Sequence, residues 1–174
     1  VEIVKVSNII TEGTAESIKR IMFEHDFPWY YSPETLGDNA KNDKYQFVHS
    51  FFEKGVATSH LSEMMLNFFR QLPEFKTHHL MRFKANLTSP YKRNMELPHM
   101  DNENIASVSY LYYVHDCDGP TAFYLNWWRK IKIYPTQGLL IKFPSNIKHG
   151  GNCPFKYDRR IVFTLIFHPT SALG

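Results

Sequence analysis

Two hydrophobic periods run through the chain and meet near Leu80. Before that point apolar residues recur at helical spacing. Ile18, Ile21, Met22 and His25 fall at i, i+3, i+4 and i+7 after Gly13-Thr14, which predicts an amphipathic helix stopped by Pro28. Leu61, Met64, Met65, Phe68, Phe69 and Leu72 repeat the spacing, with Ser59 as N-cap and Pro73 as stop. This second run predicts the strongest helix in the chain, its Met/Phe stripe facing a sheet. Ile3 to Ile10 reads as a short strand, although Ser7-Asn8 fits a loop equally well. Tyr45 to Phe52 reads as a strand carrying His49, and Leu36 to Asp43, rich in Gly, Asn and Asp, as a loop. Phe27-Pro28-Trp29-Tyr30-Tyr31 is an aromatic cluster, better explained by packing of the first helix than by a substrate mouth.

From Leu80 the period becomes 2. Met81, Phe83, Ala85 and Leu87 alternate with Arg82, Lys84 and Asn86. Short strands with turn residues between them follow at about 105–114, 122–125, 129–134, 139–143 and 159–168. The expected fold is mainly β with N-terminal helices (α+β). Helical support over about 1–79 precedes a jelly-roll barrel core over about 80–169, in one domain spanning 1–174.

Composition changes this picture little. The chain has 174 residues, 43% of them hydrophobic and 16% aromatic, enough for one domain with a real core. Net charge is +3 with no long basic run, which disfavours nucleic acid as a partner. Cys117 and Cys153 form no CxxC and are too few for a disulfide scaffold, which suits a reducing compartment. No run approaches the ~18 apolar residues of a membrane span, and no basic region followed by an apolar core opens the chain. The expectation is a cytoplasmic protein without membrane contact.

The chemistry centres on Leu97-Pro98-His99-Met100-Asp101-Asn102. On an extended segment His99 and Asp101 point to the same side and converge on one point. His149, 48 residues after Asp101 and followed by Gly150-Gly151, is the candidate third ligand, placed on a loop. Two imidazoles and one carboxylate suit non-haem Fe(II) and leave positions open. Arg160 begins the apolar run to Phe167. A planar guanidinium there can grip a carboxylate with two parallel hydrogen bonds.

The ordered set His99-Met100-Asp101, His149 and Arg160 resembles the Fe(II)/2-oxoglutarate-dependent oxygenases, within them the prolyl-4-hydroxylase-like branch. Tyr112-Tyr113-Val114-His115 and Gly119-Pro120-Thr121-Ala122-Phe123 look like that branch's strand and following turn. The compact size is similar to bacterial or phage-type single-domain members. The resemblance runs from about Leu80 to Pro169 and implies a double-stranded β-helix. It implies Fe(II) held by His99, Asp101 and His149, with 2-oxoglutarate and O2 as co-substrates and ascorbate as an auxiliary reductant. Arg160 would hold the distal carboxylate of 2-oxoglutarate in a pocket with one cation at its far end and few other charges. Arg159, its neighbour, would turn outward by alternation. Tyr113 would contact the co-substrate or pack. Asn86 would reach the pocket from the preceding strand. The family's Arg-x-Ser reads Arg160-Ile161-Val162 here, so Thr164 is the hydroxyl that would substitute, and Asn102 would support the metal ligands.

The implied reaction is hydroxylation of an unactivated C–H, in peptidyl proline or a small molecule, with release of succinate and CO2. Asp101 disfavours the halogenase variant. The nucleic-acid-dealkylating branch carries a second Arg six residues after the first, and Leu165-Ile166 shows no such pattern. Two alternatives on a similar fold are a cupin-like metal- or sugar-binding barrel and a catalytically silent binding module. A tetrahedral zinc set of His115, Cys117, His149 and Cys153 would compete for His149. His25, His49, His60, His78, His79 and His168 show no ligand spacing.

Overall fold

The computed structural model describes residues 2–33, 45–90, 98–126 and 128–170. The loop expected over Leu36 to Asp43 lies outside the described residues.

Strand β1 (Val4–Val6) is followed by helix α1 (Glu12–Phe23). The Thr11 side chain caps α1 by accepting from the Thr14 N–H at 3.1 Å. Glu12 in the first turn and Arg20 in the last complement the helix dipole. Ala15, Ile18 and Met22 are its buried stripe. The helix ends at Phe23, ahead of Pro28, with the Glu24 N–H bonded back to Ile21 O.

The second helix, expected to be the strongest, is the shorter one. α2 covers only Ser62–Asn67, and its N-cap is Leu61. Ser59 still contributes, because its Oγ accepts from the Leu61 N–H at 3.1 Å. Beyond Asn67 the chain tightens into i→i−3 bonds: Phe69 N–H to Leu66 O, Arg70 N–H to Asn67 O and Leu72 N–H to Phe69 O. Three residues per turn stack Leu66, Phe69 and Leu72 above one another, and all three are buried. Met64 leaves the stripe and is exposed. A 3-10 turn (Pro73–Lys76) then leads into the sheet.

The sheet strands are β2 (Tyr30–Ser32), β3 (Gln46–Glu53), β4 (Val56–Ala57), β5 (His78–Thr88), β6 (Val108–Tyr113), β7 (Thr121–Tyr124), β8 (Lys130–Ile133), β9 (Leu140–Pro144), β10 (Lys148–Gly151) and β11 (Arg160–Pro169). Eight form a major antiparallel sheet in the order β1-β9-β6-β11-β5-β3-β2, with β4 on β3. Three form a minor sheet, β10-β7-β8. This is the expected jelly-roll arrangement, with two sheets that are not closed into a barrel. His99 adds to the minor sheet through an antiparallel bridge to His149. His149 therefore lies on a strand and not on the loop that Gly150-Gly151 suggests. Pairing of β10 with Phe123 and its neighbours on β7 supplies the order that glycine's weak strand preference lacks.

Alternation gives the major sheet two different faces. Phe83, Ala85, Tyr110, Tyr112, Phe163 and Leu165 point outward to α1 and α2 and form the larger core. Leu111, Tyr113, Ile141 and Val162 point inward and meet Phe123 of the minor sheet. Burial of each large apolar side chain contributes roughly 1.5–3 kcal/mol, so both faces are anchored. The inner face is apolar only over part of its width. On β5 it carries Arg82, Lys84, Asn86 and Thr88, and these line a cavity between the sheets. In the aromatic cluster, Phe27 is buried against the outer core and Trp29 packs on it, whereas Tyr30 and Tyr31 are exposed.

Candidate active site

His99, Asp101 and His149 meet on the wall of this cavity. His99 Nε2 lies 3.8 Å from Asp101 Oδ1, and His149 Nε2 lies 3.7 Å from Asp101 Oδ2. One ligand atom from each of the three lies within 4.8 Å of the others. Backbone pairing sets this approach. The His99 N–H donates to His149 O at 2.9 Å, and the His149 N–H returns the bond to His99 O at 2.8 Å. The Asp101 N–H donates to Ser145 O at 3.0 Å, which aims its carboxylate between the two rings.

The donor set fits a divalent ion. His149 Nδ1 lies 2.9 Å from Ile147 O, a carbonyl that can only accept, so this nitrogen carries the proton and Nε2 presents its lone pair. Asp101 Oδ2 is buried and accepts no hydrogen bond from the described residues. A buried carboxylate oxygen left in that state is costly unless a cation answers it. Two nitrogens and one oxygen suit Fe(II).

Arg160 is buried, 5% exposed, and lines the same cavity. One edge of its guanidinium is committed to the protein: Nε donates to Gly119 O and Nη2 to Thr121 Oγ1, both at 2.8 Å. The Tyr113 hydroxyl also donates to Thr121 Oγ1 at 2.8 Å. Thr121 therefore has both lone pairs occupied and keeps its own proton for a ligand in the cavity it lines. Tyr113 is fully buried, and burial raises its phenol above the ordinary value. It thus orients Thr121 from behind the cavity wall. Arg159 points the other way, bound to Asp158 at 2.7 Å and lying over the Phe23 ring.

Asn86 and Thr164 line the cavity, with Asn86 Nδ2 donating to Thr164 Oγ1 at 3.4 Å. Val162, where the resembling family often has Ser, packs in the inner apolar cluster. Asn102 Nδ2 lies 2.9 Å from His168 Nε2, and its Oδ1 accepts from the Asn104 N–H at 2.7 Å, which fixes the chain just after Asp101. His49 is held between Pro28 O at 2.7 Å and Ser59 Oγ at 2.8 Å, a structural tie. The zinc set does not assemble. Among the described residues, three metal-capable side chains meet only at the triad and at exposed Glu24, His25 and Asp26. Cys117 instead directs its thiol to Arg159 O.

Several cavity residues were not assigned from sequence. Thr121, Gly119 and Gly151 surround Arg160, and Gln46, Arg82, Lys84 and Thr88 extend the lining. The expectation of few charges beyond one cation is therefore corrected, because Arg82 and Lys84 share the lining with Arg160. The signal was present in the alternation that placed Asn86 inward, since Arg82 and Lys84 share its parity.

No protein-family model matches the sequence, and no curated protein matches it. Solved structures do match. A 2OG-Fe(II) oxygenase family oxidoreductase from Burkholderia pseudomallei aligns with 96% of this chain and 86% of its own, at TM-score 0.69 and 15% identity. A prolyl hydroxylase from Trichoplax adhaerens, solved with a hypoxia inducible factor oxygen degradation domain peptide, aligns with 96% of this chain and 83% of its own, at TM-score 0.66 and 15% identity. The non-heme alpha ketoglutarate dependent epimerase SnoN from nogalamycin biosynthesis aligns with 97% and 78%, at TM-score 0.64 and 11% identity. The fold is that of the 2-oxoglutarate/Fe(II) oxygenases.

Proposed function

We propose that the chain is an Fe(II)- and 2-oxoglutarate-dependent oxygenase. Substrate C–H, 2-oxoglutarate and O2 become the hydroxylated substrate, succinate and CO2, one oxygen atom entering the new hydroxyl and the other the succinate carboxylate. The observation that carries this reading is a single cavity lined by both His99-Asp101-His149 and buried Arg160. A cupin-like barrel has no need of a buried guanidinium in that position.

His99, Asp101 and His149 would hold the metal, which supplies the oxidising chemistry when iron, 2-oxoglutarate and O2 are bound. The chain's own part is positioning. Arg160, with one edge locked, offers Nη1 and the remaining Nη2 proton to the distal carboxylate of the co-substrate. Thr121 donates its hydroxyl proton to the same group. Thr88, whose buried Oγ1 has no hydrogen-bond partner among the described residues, sits beside Arg160 in the ladder and adds another donor. Leu111 and Val162 cover the middle of the diacid and exclude water. Asn86 and Thr164 form the polar wall beside it. The partner is a small molecule or a peptide.

The test is succinate formation with Fe(II) and 2-oxoglutarate across a peptide and metabolite library. Binding of 2-oxoglutarate to the Mn(II)-loaded protein is measured beside it. Metal binding without 2-oxoglutarate affinity would overturn the reading.

A further inference from the structure

The geometry points to Asp118 as a positioning residue for 2-oxoglutarate. Its carboxylate ties together the two chain segments that carry the ends of the Arg160 side chain, and so sets how the guanidinium is presented to the cavity. This rests on the oxygenase reading, in which that guanidinium holds the distal carboxylate. Asp118 is not among the described cavity-lining residues and acts through Arg160.

The backbone of Arg160 is set by segment 152–159, which leads from β10 into β11 and has no regular secondary structure. Its head is set by the connection between β6 and β7, where Nε donates to Gly119 O and Nη2 to Thr121 Oγ1. The side chain thus spans from one connection to the other, and its reach depends on the gap between them. Three sets of bonds close that gap. Asp118 Oδ1 accepts from the Phe155 N–H at 2.9 Å, and Oδ2 from the Lys156 N–H at 2.7 Å. Pro120 O accepts from the Asn152 N–H at 2.9 Å and from its Nδ2 at 3.0 Å. The Cys117 thiol is directed to Arg159 O at 3.7 Å and accepts from the Gly119 N–H at 3.4 Å. Gly119 is buried among them, and a Cβ there would sit 2.5 Å from Asn152 O, so the two segments meet backbone to backbone.

The bonds of Asp118 carry the most weight. They are charge-assisted, and such bonds are roughly twice as strong as neutral ones. They also grip the exposed middle of the segment, at Phe155 and Lys156. Asn152 adjoins β10 and Arg159 adjoins β11, where the strand ladders already hold the chain. Slight desolvation raises the Asp118 carboxyl, but the N–H groups of Phe155 and Lys156 outweigh it and hold it below its ordinary value of 3.8. The carboxylate is therefore charged at neutral pH. Without it, the middle of the segment loses its tie to the Gly119 turn. The carbonyl that orients Arg160 then loses its fixed place.

The test is a double-mutant cycle in the full chain loaded with Mn(II), read by calorimetric titration of 2-oxoglutarate. Asp118→Ala should weaken 2-oxoglutarate roughly three- to tenfold, with Mn(II) affinity within about twofold of wild type. Asp118→Asn keeps one acceptor oxygen and should lie between. In an Arg160→Lys background, which lacks the Nε bond to Gly119 O, the same change should cost less than about twofold. A second readout needs no co-substrate. In the NMR spectrum of the metal-free chain, hydrogen exchange of the Arg160 Nε–H should quicken in both Asp118 variants. Unchanged 2-oxoglutarate affinity, an equal loss in both backgrounds, a parallel loss of Mn(II), or an Arg160 Nε–H with unaltered exchange would overturn the inference. If Asp118→Ala does not fold, Asp118→Asn carries the same cycle and the same exchange measurement. Failure of the wild-type chain to bind 2-oxoglutarate would overturn the oxygenase reading, and the exchange measurement would still decide whether Asp118 fixes Arg160.

Discussion

Gly151 and Arg160 share one space: a Cβ on Gly151 would sit 2.8 Å from Arg160 Nη1 and 3.0 Å from its Cζ. The guanidinium lies flat against the β10 backbone because that residue has no side chain. Its other edge is pinned by Gly119 O and Thr121 Oγ1, so it cannot retreat without breaking those bonds. Gly151→Ala should therefore weaken 2-oxoglutarate by about tenfold or more, a cost on the order of 1.4 kcal/mol or above, with Mn(II) affinity nearly unchanged. Calorimetric titration of each ligand separately decides it. Unchanged 2-oxoglutarate affinity would show that the guanidinium is not part of that site.

Arg160 itself gives a graded series. Removing one member of a desolvated charge pair costs on the order of 2–5 kcal/mol, so Arg160→Ala should lower 2-oxoglutarate affinity well over tenfold. Arg160→Lys keeps the charge but loses the fork and should fall between. Arg159→Ala should have little effect, since Arg159 faces Asp158 and Phe23 outside the cavity. A reversed order, with Arg159 the sensitive position, would place the co-substrate elsewhere.

Metal binding should follow the triad. Asp101→Ala, His99→Ala and His149→Ala should each reduce Mn(II) or Fe(II) affinity by roughly tenfold to a hundredfold or more, since loss even of residues that only support metal ligands costs that much. Chelator competition reads this without turnover. Asp101→Ala should also remove the one carboxylate among the described cavity-lining residues. If the protein binds these ions equally well after any of the three changes, the cluster is not the metal centre.

Much of this architecture was legible because alternation is a local property. Parity allowed only one of Arg159 and Arg160 to face inward, the resemblance selected Arg160, and the change of period near Leu80 announced the sheets. The misses have non-local causes. The Ser59–Leu72 stripe fits an α-helix and an α-turn followed by i→i−3 turns equally well, because Leu66, Phe69 and Leu72 satisfy a period of 3 as well as 3.6. His149 looked like a loop residue because its strand exists only through pairing with β7. Thr121 and Gly151 are contacts of Arg160 from other strands, and no spacing in the sequence brings them together. Lys84 was visible by parity yet was read only as the polar side of a strand.

The Tyr113–Thr121–Arg160 chain separates a positioning role from direct contact. Tyr113→Phe removes the bond to Thr121 Oγ1 and leaves the ring in place. It should weaken 2-oxoglutarate by a few-fold, as expected for one neutral hydrogen bond of about 0.5–1.5 kcal/mol. Thr121→Val removes the acceptor for Arg160 Nη2 as well as the donor to the ligand, so it should cost more. The double variant should not exceed Thr121→Val by much, because Tyr113 acts through Thr121. Additive losses in that double-mutant cycle would mean that Tyr113 touches the co-substrate itself.

Far from the cavity, on the outer face of the major sheet, Glu74 should set part of the acid limit of stability. It is buried on the 3-10 turn, accepts a hydrogen bond from the Tyr110 hydroxyl and lies 2.5 Å from Lys142 Nζ. Tyr110 and Lys142 are directly paired across β6 and β9, so two strands clamp one carboxylate. Burial alone would raise this carboxyl, but the bonds from Lys142 and Tyr110 outweigh it and hold it below its ordinary value of 4.5. The folded state therefore binds its proton more weakly than the unfolded chain does. Stability from this group is full above the unfolded value and is lost as pH falls through the lower folded one. Glu74→Gln should destabilise the protein near neutral pH by about 1–2 kcal/mol, a figure reduced from that of a fully buried pair because Lys142 is 38% exposed. The gap between wild type and Glu74→Gln in urea unfolding should narrow as pH drops from about 6 toward 3. Tyr110→Phe should leave the Lys142 contact and cost about 1 kcal/mol. A wild-type-to-Gln difference that is constant across this pH range would show that the carboxylate is not held in its charged form by the clamp.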